Sequence, residues 1–182
     1  MPTPRRPVVV LAGIAALAVV LAGYFGWLTL FRPAAKPVPP TTVVNTVGGY
    51  RLTVPEGMTA TRRGKITSLV DASRSISVTV TTTAGGAPRS TNDAVVATLR
   101  RSYQSLTLLG SAARTVDRRP GRATYGAVVD AEGRRIQFVV ITVKGRGRNY
   151  ALSAFAPIGA KGVTAVRHRF DTVVEGFRVG TG

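Results

Sequence analysis

The sequence predicts an α+β protein: an N-terminal transmembrane helix followed by an αβα sandwich with a mainly antiparallel sheet and two packing helices. Three observations predict it. Pro7 to Phe31 runs for 25 residues without a charged side chain. At ~1.5 Å of helical rise per residue such a run reaches roughly 37 Å, enough to cross a ~30 Å hydrocarbon core with some tilt. Beyond it, short stretches alternate apolar and polar residues with the period of two expected of half-buried strands, and two longer stretches repeat apolar residues at helical spacing.

Residues 1–6 form a short cytoplasmic stub with two prolines, too small to fold. Residues 7–31 read as an uncleaved signal anchor, with Arg5 and Arg6 before the run and Arg32 and Lys36 after it. That balance leans toward a cytoplasmic N-terminus and an extracytoplasmic C-terminal domain, on a single-pass protein of the cell membrane. Tyr24 and Trp27 lie where amphipathic rings sit at the outer headgroup level. A cleaved secretory signal shares this order of charges and apolar residues. Its apolar core is usually ~7 to 15 residues, however, and the clearest small-x-small site here, Ala16-Leu17-Ala18, falls in mid-span. Ala18, Ala22 and Gly26 recur at every fourth position, a weak helix-pairing pattern that alanine-rich spans produce by chance. Residues 32–44 form a linker with Pro33, Pro37, Pro39 and Pro40, a stiff spacer of roughly 30 Å at most that keeps headgroups within reach of the outer domain.

The outer domain, residues 45–179, opens on Tyr50-Arg51-Leu52-Thr53-Val54, whose alternate residues Tyr50, Leu52 and Val54 share one face. Pro55-Glu56-Gly57-Met58 ends that strand, and Thr61 to Lys65 reads as a polar loop into a strand at Ile66 to Val70. Ile76 to Thr81 alternates three apolar residues with three hydroxyls. Gly85-Gly86-Ala87-Pro88 breaks the sheet, and Ser90 to Asp93 offers several helix caps ahead of Val95, Leu99, Tyr103 and Leu106 at helical spacing. Strands follow at Ala112 to Arg118, Ala123 to Asp130, Arg135 to Val143 and Tyr150 to Ala156. The later turns are Ala131-Glu132-Gly133 and Gly145-Arg146-Gly147. Ile136 to Val143 is apolar on both faces, which places it centrally with helices on both sides. The last helix carries Val163, Val166, Phe170, Val173, Val174 and Phe177 as one stripe. Strands, helix, antiparallel strands and helix in that order argue for α+β.

Cysteine is absent, which excludes disulfides, thiolate metal sites and thiol catalysis. The formal charge is +17, and from Thr41 onward 21 Lys and Arg face 8 Asp and Glu, a balance of +13 on the outer domain. Such a surface favours anionic neighbours, either lipid headgroups or acidic wall polymers. An arginine-rich, GC-rich genome produces the same composition without selection for binding, and both explanations stand at this level.

The opening Tyr50 to Met58, the helix that follows, Arg148-Asn149-Tyr150-Ala151-Leu152 and the closing Phe170 to Arg178 resemble the PsbP/Mog superfamily. They are most similar to its actinobacterial surface-anchored branch, the LpqN/LpqT type. The resemblance spans about residues 45 to 179. The branch carries a lipidated cysteine that this chain lacks, so the transmembrane helix would replace the lipid as anchor. Met58 and Gly176 stand where members tend to have tryptophan and serine. The resemblance implies a non-enzymatic adaptor or binding module and transfers no active-site residue.

The residues agree with that implication. His168 and Asp171 are one helical turn apart, but no second histidine or nucleophile motif accompanies them, so they read as a solvated or structural pair. Asp130 and Glu132 at a hairpin tip are surface charges beside Arg134 and Arg135. Gly145-Arg146-Gly147-Arg148 lacks the spacing of a phosphate loop. No catalytic residue, cofactor site or metal site is expected. The candidate anionic-surface contacts are the clusters Arg62, Arg63 and Lys65; Arg118, Arg119 and Arg122; and Lys144, Arg146 and Arg148. Nucleic acid is not an expected partner, because the domain lies outside the cytoplasm and no stacking aromatics interleave these clusters.

The sequence therefore predicts a membrane-anchored, extracytoplasmic, non-catalytic binding or scaffold module at the cell envelope. Its expected partners are the bilayer through the N-terminal helix, an anionic lipid or wall polymer, and an envelope protein. The alternative is an accessory subunit of an envelope enzyme or a transport or secretion system with an unrecognised ligand site. A sheltered polar cleft would favour the alternative, a continuous basic face would favour anionic polymers, and an exposed apolar patch would mark a protein partner.

Overall fold

The computed structural model describes residues 41–73, 76–158 and 163–180. The expected stub, membrane span and prolines of the linker lie outside the described residues. Among those described, no helix is long and apolar enough to cross a membrane.

Among the described residues ten strands and two helices follow in the order β1 (Thr41–Asn45), β2 (Tyr50–Val54), β3 (Met58–Arg63), β4 (Ile66–Asp71), β5 (Ser77–Ala84), α1 (Pro88–Ser102), β6 (Ser105–Val116), β7 (Arg119–Val129), β8 (Arg135–Lys144), β9 (Arg148–Pro157), α2 (Val163–Gly176) and β10 (Arg178–Val179). Seven strands form one sheet in the order β3-β4-β5-β9-β8-β7-β6, and β1-β2-β10 form a small second sheet. Every pairing is antiparallel, and with two packing helices the fold is α+β.

The pleat of β8 and β9 assigns the two faces. Ile136, Phe138 and Val140 with Ala151 and Phe155 meet Val95 and Leu99 of α1. On the other face Ile141 and Val143 with Tyr150, Leu152, Ala154 and Ala156 meet β2, Phe170, Val173 and Val174 of α2, and Phe177, which the sequence places in the helix stripe but which lies just past the helix end at Gly176. One face is thus covered by a helix, the other by a helix beside a small sheet.

The small sheet is fastened through buried polar groups. Tyr50 is fully buried, and its hydroxyl lies 2.8 Å from Thr67 Oγ1 and 3.0 Å from the Val80 carbonyl, while accepting from Asn45 Nδ2 at 3.1 Å. Its ring packs on Tyr150 and Phe177, with centroids 5.9 and 5.7 Å away. On the opposite face Asn92, also fully buried, donates to the carbonyls of Arg122 and Val140 at 3.2 Å and accepts from Thr124.

Several boundaries differ from those the sequence predicts. Thr41 to Val44, read as linker, pair with β2 as part of β1. Met58 to Arg63, read as a turn and loop, is strand β3, because Met58 is a core residue and the polar positions after it face solvent on a sheet edge. The first helix starts at Pro88 behind Ala87 with no side-chain cap, since Asn92 is used inside. It ends at Ser102, so Leu106 belongs to β6 and not to the helix stripe. Strand β8 is interior: α1 closes over one face, while on the other α2 and the small sheet bury Ile141 and Val143 and leave a groove beside Val139.

Burial pushes the phenols of Tyr50 and Tyr103 up to about 12, from an ordinary value near 10. Their contribution to stability is complete below pH ~10, where the unfolded phenol is also protonated, and is lost as pH rises toward 12. Urea unfolding followed from pH 7 to 11.5 should show stability declining from about pH 10. Tyr50→Phe should cost about 1–3 kcal/mol at pH 7, because it strips partners from Thr67 and Asn45, and should flatten part of the alkaline decline.

Candidate functional site

Antiparallel register brings the three basic clusters to one end of the large sheet. The pairs Thr67↔Val80, Ala84↔Arg148 and Gly121↔Val143 place the β3–β4, β8–β9 and β6–β7 tips side by side. Arg62, Arg63, Lys65, Arg118, Lys144, Arg146 and Arg148 are exposed there; Arg119 and Arg122 are half-buried. The β1–β2 turn closes the same end, where Arg148 Nη1 donates to the Gly48 carbonyl at 3.4 Å and Thr82 Oγ1 donates to it at 2.9 Å. The N-terminus of α1 also points this way, since Thr142 bonds the Pro88 carbonyl at 2.7 Å and Asn149 donates to the Gly86 carbonyl at 3.2 Å. An uncapped helix start adds a partial positive charge to the field of the hairpins.

These cations are held in different ways. Arg62 donates to the Val44 carbonyl, which ties the β3 edge to β1. Arg119 and Arg178 share the carboxylate of Asp117, each at 3.8 Å, and Asp117 also accepts from the Val179 amide at 2.9 Å. The Nε of Arg122 is buried without a hydrogen-bond partner among the described residues. Arg63, Lys65, Arg118, Lys144 and Arg146 make no ion pair among the described residues. Their charge stands uncompensated toward solvent.

Asp117 and Arg118 form a two-residue turn with φ of +50° and +56°, bounded by the pair Val116↔Arg119. The turn is absent from the sequence prediction, which ran a strand through Arg118, because it lacks the glycine that usually marks positive φ in such hairpins.

The opposite end is chemically different. Thr41 begins there, paired with Val54, so the chain comes in at the end away from the basic hairpins. Asp71 meets Arg169 at 3.3 Å, and Arg134 bridges Asp130 at 2.6 Å and Glu132 at 3.0 Å. Burial works to raise the pKa of Asp130. The Arg134 side chain and the backbone amides of Arg134 and Glu132 outweigh it and hold the carboxyl below its usual range. Arg134 is the partner of both carboxylates, whereas Arg135 makes no ion pair among the described residues. His168 is exposed, and Asp171 turns to Arg114 and Arg167. No three metal-ligating side chains gather among the described residues.

The fold is similar to that of the Ran-binding protein Mog1p of Saccharomyces cerevisiae, at 13% identity over 77% of this chain and 95% of that one, with a TM-score of 0.57. It is likewise similar to cyanobacterial PsbP (CyanoP) of Synechocystis sp. PCC 6803, at 15% identity over 83% and 99% of the two chains, with a TM-score of 0.55. LpqN of Mycobacterium tuberculosis, involved in cell envelope biogenesis, overlaps at 15% identity over 80% and 90% with a TM-score of 0.47. No family model and no curated protein sequence matches the chain. The first two likenesses show a PsbP/Mog-like fold.

An arginine at φ +56° adopts a backbone conformation that glycine adopts freely. Arg118→Gly should therefore leave thermal stability unchanged or raise it by about 0.5–1 kcal/mol, while removing a charge from the basic end. Scanning calorimetry of the two proteins checks this, and a clear loss of stability would mean that the Arg118 side chain holds the hairpin.

Proposed function

We propose that this chain is a membrane-anchored, extracytoplasmic, non-catalytic binding module of the cell envelope, akin to the actinobacterial surface-anchored branch, whose basic end engages an anionic wall polymer. The observation that carries the reading is the convergence of three basic hairpins at one end of the sheet. Clustered cations with few carboxylates among them attract a polyanion far more strongly than the same charges dispersed.

The position of Thr41 favours a wall polymer over the headgroups of the membrane that holds the chain. A ten-residue strand such as β9 spans roughly 30 Å at ~3.3 Å per residue, so the hairpin tips lie about that far from the opposite end. A span over residues 7–31 and a stiff linker deliver the chain at Thr41, which turns the basic end outward. On this reading the basic end meets material beyond the membrane.

The test uses the full chain in nanodiscs of neutral lipid, titrated with polyphosphate as a stand-in for a phosphate-bearing polymer. The variant Arg63→Ala/Arg118→Ala/Arg146→Ala removes one charge from each hairpin. Its control, Arg100→Ala/Arg101→Ala/Arg135→Ala, removes the same charge from exposed positions at the other end. The hairpin variant should bind about tenfold more weakly or worse, with a shallower salt dependence, and the control should bind nearly as the parent does. Equal losses from both would reduce the attraction to net charge and sink the proposed site. Protease cleavage of a C-terminal epitope in intact cells should confirm the outward topology, and protection would overturn it.

A further inference from the structure

Strand β6 closes one edge of the large sheet and, among the described residues, pairs only with β7. Edge strands are usually blunted by charge, proline, brevity or cover, because their unpaired amides and carbonyls invite another strand. The other edge, β3, follows that rule: it has six residues, ends in Arg62-Arg63, and is tied to β1. Strand β6 follows it much less. It runs for twelve residues, almost all exposed, with Arg114 as its one charge and no proline.

A bulge between Leu108 and Gly110 interrupts β6, and after it Gly110 to Val116 pairs regularly with β7. Because a two-residue turn closes on Val116↔Arg119, that pair exchanges hydrogen bonds, and alternation makes Arg114, Ala112 and Gly110 inward-bonded too. The amides and carbonyls of Ser111, Ala113 and Thr115 therefore face outward. Pro120 stands opposite Thr115, at a position where β6 requires no amide from β7. Gly110, Ser111, Ala112 and Ala113 are small, so a second backbone can approach closely.

Beside this edge lies a groove of about 340 Å³ between α2 and the face of β6 to β9 that packs toward it. Leu109 and Tyr125 form its open side, 69% and 39% exposed, and Val139, Ile141 and Phe170 line its depth. Arg114 and Arg167 reach its rim, 3.4 and 3.8 Å from the single carboxylate of Asp171. Two guanidinium groups there share one negative charge.

We propose that β6 receives an extended segment of a partner protein by strand addition along Gly110 to Val116, and that this segment alternates apolar and acidic side chains. The backbone bonds would come from Ser111, Ala113 and Thr115. Its acidic side chains, all on one face, would meet Arg114 and Arg167 at the groove, and its apolar side chains would lie on the opposite face of the extended sheet. A second copy of this chain fits poorly, since self-pairing would bring together two domains of charge +13. This surface is separate from the basic end and does not rest on the polymer reading.

The test uses full chain in neutral nanodiscs and the peptide Val-Glu-Val-Glu-Val-Glu-Val, compared with the same peptide methylated on alternate amides. Amide exchange read residue by residue should slow about tenfold or more at Ser111, Ala113 and Thr115 with the plain peptide. The methylated peptide, with equal charge, should leave these amides unchanged. Ala113→Pro removes an outward amide at an edge position that tolerates proline, and should abolish the protection. If that variant does not fold, the contrast between the two peptides decides alone. The three-hairpin arginine variant should retain the protection, and polyphosphate should not displace the peptide. Protection confined to the hairpin tips, or equal binding of the methylated peptide, would overturn the proposal. Concentration-dependent protection of the same amides without peptide would assign the edge to a second copy and overturn the partner as well.

Discussion

The position of the small sheet depends on one buried knot. Asn45, Tyr50 and Thr67 sit on three strands, β1, β2 and β4, and their side chains satisfy one another at 2.8–3.1 Å where no water reaches. A buried polar group without a partner costs a large share of a domain's net stability, so the three groups tolerate one arrangement and little slippage. Tyr50 also supplies the ring that meets Tyr150 and Phe177. With the β1–β2 hairpin fixed in register on the large sheet, the rest follows. Thr41 lies at one end, Gly48 and Gly49 at the other, and the β10 segment reaches Gly49 and Asp117.

The two faces of the large sheet are held by different physics. Helix α1 is pegged by polar side chains as well as packed: Asn92, Thr124, Thr142 and Asn149 bridge it to β7, β8 and β9. Such bonds are directional and fix the helix start against the hairpin end. Helix α2 is packed chiefly through Phe170, Val173 and Val174, with Phe177 just after it, and lies closest to β2. Because it sits toward the small sheet, it leaves the β6 to β8 side of that face open. The groove and the bare β6 edge are consequences of that placement.

What was legible in the sequence was whatever a period carries. Ile76 to Thr81, Arg135 to Val143 and Tyr150 to Ala156 alternate or run apolar, and all but Ile76 lie in strands. Phe170, Val173 and Val174 form a helix face, with Phe177 just past the helix end. The illegible parts were decided by tertiary partners. Met58 to Arg63 has no strong alternation of its own and becomes a strand because β4 offers a ladder. Leu106 falls at helical spacing from Leu99 yet lies in β6, since pairing with β7 starts at Ser105. The nine basic residues were visible as three clusters, but their meeting at one end is a property of register. Leu109 and Tyr125 belong to no motif, and only the course of α2 beside them makes them a surface.

The same register bears on whether the positive charge is more than composition. A genome that favours arginine places it without regard to topology, and Arg100, Arg101 and Arg135 at the far end are what that bias produces. The asymmetry lies in the carboxylates. Of the eight in the chain, Glu56, Asp71, Asp130 and Glu132 fall at the end where Thr41 lies, Asp93 and Asp171 are paired on the helices, and Glu175 sits in the last turn of α2. At the hairpin end Asp117 is occupied with Arg119, Arg178 and the Val179 amide, which fasten β10. Its charge is largely spent in that structural role and does little to neutralise the tips. Compositional drift accounts for the number of arginines; it does not account for three basic clusters meeting at one end of the sheet while four of the eight carboxylates lie at the other.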